Sequence, residues 1–157
     1  MAPERLIDTP IESLPYLDRH TVTVRAGART TWDALVATER GFGRGRARQS
    51  VSRALGAAHT EVAGKAGEIG STIPGFVVAR SIAPAVLALL GRHRFSRYAL
   101  VFRIVEDPNG HSELSAETRA EFPGAKGSVY RTLVVGTRGH VLATRGILSA
   151  VRRRAER

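Results

Sequence analysis

Cysteine is absent from this chain of 157 residues. Disulfides, thiolate metal sites and a cysteine nucleophile are therefore excluded, and a reducing cytoplasm is the expected compartment. Long apolar runs are missing too. The best, Ile82 to Leu90 and Leu133 to Val135, fall far short of the ~20 residues a membrane span needs. Met1 to Asp18 carries charges throughout and has no apolar core of the length a signal peptide requires, so none is expected. There is no G-x-S-x-G elbow and no phosphate-cradling loop. Gly41, Gly43 and Gly45 follow a helical pattern rather than a strand and are not read as a nucleotide loop. His20, His59, His93, His111 and His140 are scattered without ligand spacing, so no metal and no cofactor is expected. No catalytic constellation is evident.

Lysine is scarce, with only Lys65 and Lys126, yet the net charge is +10, from 24 Lys+Arg against 14 Asp+Glu. The excess is arginine. Together with abundant alanine, glycine and valine, it matches the coding bias of a high-GC bacterial genome. The bases cluster in Arg40 to Thr60 and again after Phe122, where Arg131, Arg138, Arg145 and Arg152 recur every seven residues. Such a stripe stays nearly aligned on a helix and would suit an anionic surface, but its plainer reading is a solvated flank. No aromatic residues are interleaved to stack bases, so nucleic acid is not expected as a partner.

A chain of this length fits one domain. Met1 to Leu17 contains Pro3, Pro10 and Pro15 and reads as an extended lead-in (residues 1–17) before a domain spanning 18–157. His20, Val22 and Val24 alternate with Thr21, Thr23 and Arg25, the period of a half-buried strand. A helix follows, with Thr30 or Thr31 as its cap and Trp32, Leu35 and Val36 on one face. A second short helix is expected near Ala47 to Leu55, with Val51, Ala54 and Leu55 inward. Gly56 to Pro74 shows no clear strand. Phe76 to Ile82, Ala85 to Leu90, His93 to Val105 and His111 to Phe122 read as strands, the last two joined by an Asn109-Gly110 hairpin turn. Ser128 to Arg154 reads as one long helix with Tyr130, Leu133, Val134, Val141, Leu148 and Val151 on one side. Gly136, Gly139 and Gly146 weaken it, and a break near Gly139 is allowed.

The faces of the hairpin suggest how these parts meet. Tyr98, Leu100, Phe102 and Ile104 share one face of the first strand. Leu114, Ala116, Thr118, Ala120 and Phe122 share one face of the second. The opposite side, with Glu113, Ser115, Glu117, Arg119 and Glu121, reads as solvated. Only the last helix offers a matching apolar stripe. Ala116 and Ala120 are small where a full core would want bulk, which fits either interdigitated packing or a cavity that admits a ligand.

The order strand, two helices, antiparallel strands, long C-terminal helix resembles the helix-grip superfamily of START-like, Bet v 1-like and polyketide cyclase-like (SRPBCC) proteins. The most specific stretch is His20 to Leu35, "HTVTVRAGARTTWDAL", which is similar to the family's first strand and helix with its Trp-x-x-Leu, here Trp32 and Leu35. "YRTLVVGTRGHVLATRGIL" is similar to the closing helix. The resemblance implies an α+β fold in which a curved antiparallel sheet wraps a long C-terminal helix around a deep pocket. It favours the cavity over plain packing. It also implies binding or carriage of a small apolar ligand (lipid, polyketide or aromatic metabolite). The alternatives are a cyclase- or aromatase-type enzyme on the same fold, or anion binding through the arginines. On this reading Trp32, Tyr98, Leu100, Phe102, Ala116, Thr118, Tyr130, Val134 and Val141 line or bound the pocket. No catalytic residue carries over. Among the polar groups, Tyr98 and Tyr130 could offer a hydroxyl to a ligand or simply pack in the core with it at the rim. His140 could edge the pocket but reads more plainly as exposed. His93 would matter as an acid or base only beside a carboxylate, and Glu117 and Arg119 read as a surface ion pair.

Overall fold

The computed structural model describes residues 6–42, 46–136 and 138–157. Six strands form one antiparallel sheet: β1 (Tyr16–Val24), β2 (Thr72–Ile73), β3 (Phe76–Ile82), β4 (Val86–His93), β5 (Ser96–Glu106) and β6 (Ser112–Glu121). Their spatial order is β1-β6-β5-β4-β3-β2. The helices are α1 (Ala28–Phe42), α2 (Arg46–Ala54), α3 (Gly124–Gly136) and α4 (Gly139–Ala155). Gly43 and Gly45, expected to end the first helix, lie outside the described residues.

The β5–β6 register follows from the hydrophobic alternation. Tyr98 faces Ala120, Leu100 faces Thr118, Phe102 faces Ala116 and Ile104 faces Leu114. A one-residue slip would turn this whole set to the other face. The turn is fixed by Asp107, whose Oδ1 accepts the N–H groups of Asn109 and His111 at 2.8 and 3.0 Å, and by Gly110 at positive φ. The concave face packs against Trp32, Ala34 and Leu35 of α1 and Leu148 and Val151 of α4, giving one core that includes Phe102, Ala116, Leu87 and Leu89. Each large side chain fully buried there contributes roughly 1.5–3 kcal/mol.

Five expectations change. The helix cap is not Thr30 or Thr31. The first amide of α1, on Ala28, donates to Glu106 Oε2 at 2.5 Å, and Thr31 is buried against Ser112 inside the fold. Nor is the lead-in simply extended. Leu6–Asp8 and Ile11–Ser13 form 3-10 turns, the second bracketed by Pro10 and Pro15. Ile11 and Leu14 bury themselves on the convex face of the sheet against Val77, Ala88, Leu90, Ala99 and Val101.

That covered convex face also changes the reading of Glu117. It is buried, 4% exposed, and is held by both Arg19 and Arg119. Arg119 in turn donates to the Leu14 carbonyl at 3.0 Å, which ties the lead-in down.

Finally, the terminal helix is two helices. Arg138 at φ 53 stands at the N-terminal cap of α4, so the arginines spaced by seven do not share one helix. Val129 and Leu133 on α3 are exposed, so of the expected stripe Tyr130 turns inward from α3 and Leu148 and Val151 from α4. Val51 of α2, expected to face inward, is exposed as well.

Candidate functional site

A cavity of about 300 Å³ opens between the concave sheet face and the helices. That is the lower end of the usual size for small-molecule sites, about 300–1,000 Å³. Its floor is β4, β5 and β6, through Leu89, Leu100, Thr118 and Ala120. Leu17, Ile73, Pro74 and Phe76 close the sides. Leu55 after α2, Tyr130 of α3 and His140, Ala143, Thr144 and Ile147 of α4 form the roof.

Of the nine residues expected at the pocket, Tyr98, Leu100, Thr118 and Tyr130 line this cavity. Phe102 and Ala116 belong to the packed core beyond it, where neither is exposed at all. Trp32 packs in that core too and borders a separate, polar groove with Arg29, Arg40 and Lys65. Val141 is half-buried and away from the lining. The side chain of Val134 lies outside the described residues. Gly136 and Gly146 are not part of the cavity lining, and an added methyl group on either would meet nothing. Gly127 has a different role, since a Cβ there would fall 2.6 Å from the carbonyl carbon of Phe122. Its absence lets α3 start hard against the end of β6.

One end of the cavity is aromatic. Tyr98 meets Phe76 edge-on, with ring centres 5.2 Å apart. His93 lies 5.4 Å from Tyr98 and 4.9 Å from Tyr130, and Phe95 stacks on Tyr130 at 5.6 Å. Such offset and edge contacts add to simple burial. Burial pushes the His93 imidazole below its ordinary value, so the ring stands neutral at physiological pH, and its Nδ1 accepts the Phe95 N–H at 3.1 Å. Burial also pushes the Tyr98 and Tyr130 phenols up, Tyr98 further because Tyr130 lies close. Both are un-ionised hydroxyls at neutral pH.

The other end is polar. Asp18 and His20 point inward from β1, opposite Thr118 and Ala116 of β6. Nε2 of His140 lies 2.8 Å from Asp18 Oδ2, and an ionised carboxylate only accepts, so the imidazole donates. Nε2 of His20 is 3.4 Å from the same oxygen, near but not aligned for a hydrogen bond. No group of His, Asp or Glu side chains among the described residues is arranged to hold a metal ion, this cluster included. Sequence reasoning allowed His140 at the pocket edge but favoured an exposed ring, and it missed Asp18 and His20. The signal was the strand alternation itself, which puts His20 in step with Val22 and Val24.

Solved structures share this architecture. The Aha1 protein of Colwellia psychrerythraea, solved as a dimer, superposes with a TM-score of 0.55 at 14% identity, over 88% of this chain and 94% of that one. Ara h 8.0201 gives 0.52 at 10% identity, over 88% and 95%. The chain has the Bet v 1-like helix-grip fold. CalU16 from Micromonospora echinospora is a further helix-grip neighbour, with a TM-score of 0.50 at 14% identity over 92% of both chains. At these identities the likeness speaks for the fold alone. No family model matches the sequence, and no curated protein matches it. No helix among the described residues is long and apolar enough to cross a membrane.

Proposed function

We propose that this helix-grip protein binds and carries a small apolar ligand, of lipid, polyketide or aromatic type, in the cavity between sheet and helices. The observation that carries the reading is the cavity itself. It is walled by Leu89, Leu100, Phe76, Tyr98, Tyr130 and Ile147, and it remains open where the rest of the concave face is closely packed. Removing an apolar guest from water is the driving force. Tyr98, Leu100, Thr118 and Tyr130 are the contacts we assign, with Phe102 and Ala116 packed in the core beyond them. The proposed setting is the cytoplasm.

A thermal-shift panel of fatty alcohols, sterols and fused aromatic compounds tests the reading. A ligand at a hundred times its Kd stabilises the fold by about 2.7 kcal/mol. The shift should disappear in Ala120→Phe, which fills the cavity from its floor. An absence of stabilisation by every apolar class contradicts the proposal.

A second reading, a cyclase- or aromatase-type enzyme, is favoured by one arrangement: Tyr98, Tyr130 and His140 all line the cavity, and Asp18 orients the imidazole. Turnover of a polyketide-like substrate that is lost in His140→Gln, with ligand affinity retained, would support it.

A further inference from the structure

The cavity is apolar over most of its wall, yet three buried heteroatoms at one end have no hydrogen-bond partner among the described residues: Asp18 Oδ1, His20 Nε2 and Thr118 Oγ1. Buried polar atoms in folded proteins are almost always hydrogen-bonded, so a clustered set of orphans marks a place where something polar belongs. These three are neighbours by construction. Asp18 and Thr118 are directly opposed across β1 and β6, and His20 is the next inward residue of β1. Thr118 and His140 also belong to the cavity lining, so the cluster sits immediately behind the wall.

We infer that this end of the cavity is a polar subsite that takes an un-ionised hydroxyl of the ligand, a phenol or an alcohol, and disfavours a carboxylate. The inference rests on the binding reading above and narrows its ligand class. The donor inventory decides the sign. Asp18 has given Oδ2 to His140 and keeps Oδ1 as an acceptor, which calls for a donor. Asp18 stands behind the lining, so Thr118, opposed to it across β1 and β6, is the group that meets the ligand. With its proton turned to Asp18 Oδ1, Thr118 Oγ1 is left as an acceptor, which a ligand hydroxyl satisfies by donating. A ligand carboxylate cannot donate, and it would set a second negative charge beside Asp18 in a partly desolvated corner. The charged and titratable groups facing this corner are Asp18 and His20 from β1 and His140 from α4. On β6, Glu117 and Arg119 point to the opposite face. At the far end, the rings of Tyr98, Phe76, Tyr130 and His93 offer flat surface to an aromatic body. The preferred guest is therefore a planar apolar molecule with a hydroxyl at one tip.

Three probes of one shape test this: naphthalene, 2-naphthol and 2-naphthoate, titrated calorimetrically at pH 7.5 into the native protein and into Thr118→Val and Asp18→Asn. In the native protein 2-naphthol should bind about tenfold more tightly than naphthalene, the ratio one well-made hydrogen bond supplies, and 2-naphthoate should bind more weakly than 2-naphthol. In Thr118→Val, which keeps the side-chain shape, the ratio of naphthol to naphthalene affinity should shrink several-fold. Asp18→Asn should restore much of the 2-naphthoate affinity. Equal affinity for naphthalene and 2-naphthol in the native protein overturns the subsite while leaving the cavity reading intact. So does a naphthol preference that survives both substitutions. If none of the three binds, the subsite is overturned, while the cavity reading is judged by the thermal-shift panel of fatty alcohols, sterols and fused aromatic compounds.

Discussion

The hydroxyl of Tyr98 donates to the backbone carbonyl of Gly75 at 2.8 Å, so a side chain in the middle of the sheet closes the loop between β2 and β3 over the cavity. The ring reaches that carbonyl by lying across Gly91, its cross-strand partner. A Cβ on Gly91 would fall 2.1 Å from the Tyr98 ring and 2.3 Å from the Gly75 oxygen. Backbone and ring cannot both yield, so Gly91→Ala should cost about 1–3 kcal/mol or more by overpacking. Urea denaturation measures it. A change below about 0.5 kcal/mol, the usual size for an inconsequential surface substitution, would mean that the ring is not held there.

Tyr98→Phe removes the hydroxyl and leaves the Gly75 carbonyl without its donor, which should cost about 0.5–1.5 kcal/mol at neutral pH. The phenol also has an alkaline signature. Burial raises its folded value above the ordinary one, so its contribution is complete below about pH 10, where an unfolded tyrosine keeps its proton. It is then lost as pH rises further, because the unfolded chain ionises first. Tyr98→Phe should lose stability less steeply above pH 10 than the native protein. Identical alkaline slopes would contradict the burial of this hydroxyl.

Two buried glutamates should behave in opposite ways. Glu117 lies between Arg19 and Arg119. Burial alone would raise its carboxyl, but the hydrogen bonds from the two guanidinium groups outweigh that and hold it below the usual range. Its contribution is present above the ordinary carboxylate value and is lost as pH falls through the depressed one. Glu39 is 1% exposed and accepts one backbone N–H, from Gly67 at 3.0 Å. Burial raises its carboxyl, so the folded state favours the protonated form, and stability is lost as pH rises above the ordinary value. Glu117→Gln should therefore destabilise at pH 7 by about 1–3 kcal/mol, a figure reduced because Arg19 is half exposed. Glu39→Gln, which can still accept from Gly67, should be neutral or stabilising there, with a benefit that grows from pH 4 to pH 7. Urea midpoints of both variants across that range check the signs, and parallel curves would refute them.

Much of the fold was legible because it rests on period. The β5–β6 register, the Asn109-Gly110 turn and the inward face of β1 follow from alternation and turn chemistry, which act locally. What escaped were long-range events. Glu106 caps α1 from 78 residues away in sequence, a partner no local pattern announces. Ile11 and Leu14 cover the convex face because prolines set the lead-in into a tight turn, and that cover turns Glu117 from a surface residue into a buried one. The site was half legible for the same reason. Tyr98, Leu100 and Thr118 share a strand face that any alternation count finds. The line between the packed floor, Phe102 and Ala116, and the open part depends on where α3 breaks from α4. That break falls at Arg138, a non-glycine residue with positive φ, one residue before the glycine near which the sequence only allowed one.

The chain has three tyrosines, and their positions make them reporters of the central claim. Tyr98 and Tyr130 line the cavity, whereas Tyr16 is 55% exposed at the start of β1 and away from it. With tyrosine rings isotopically labelled, a titration with 2-naphthol followed by aromatic carbon–proton correlation should move the Tyr98 and Tyr130 signals together, saturating at one Kd, while Tyr16 stays still. Motionless Tyr98 and Tyr130 signals, or a non-saturating drift shared by all three, would contradict a ligand seated between the sheet and its helices.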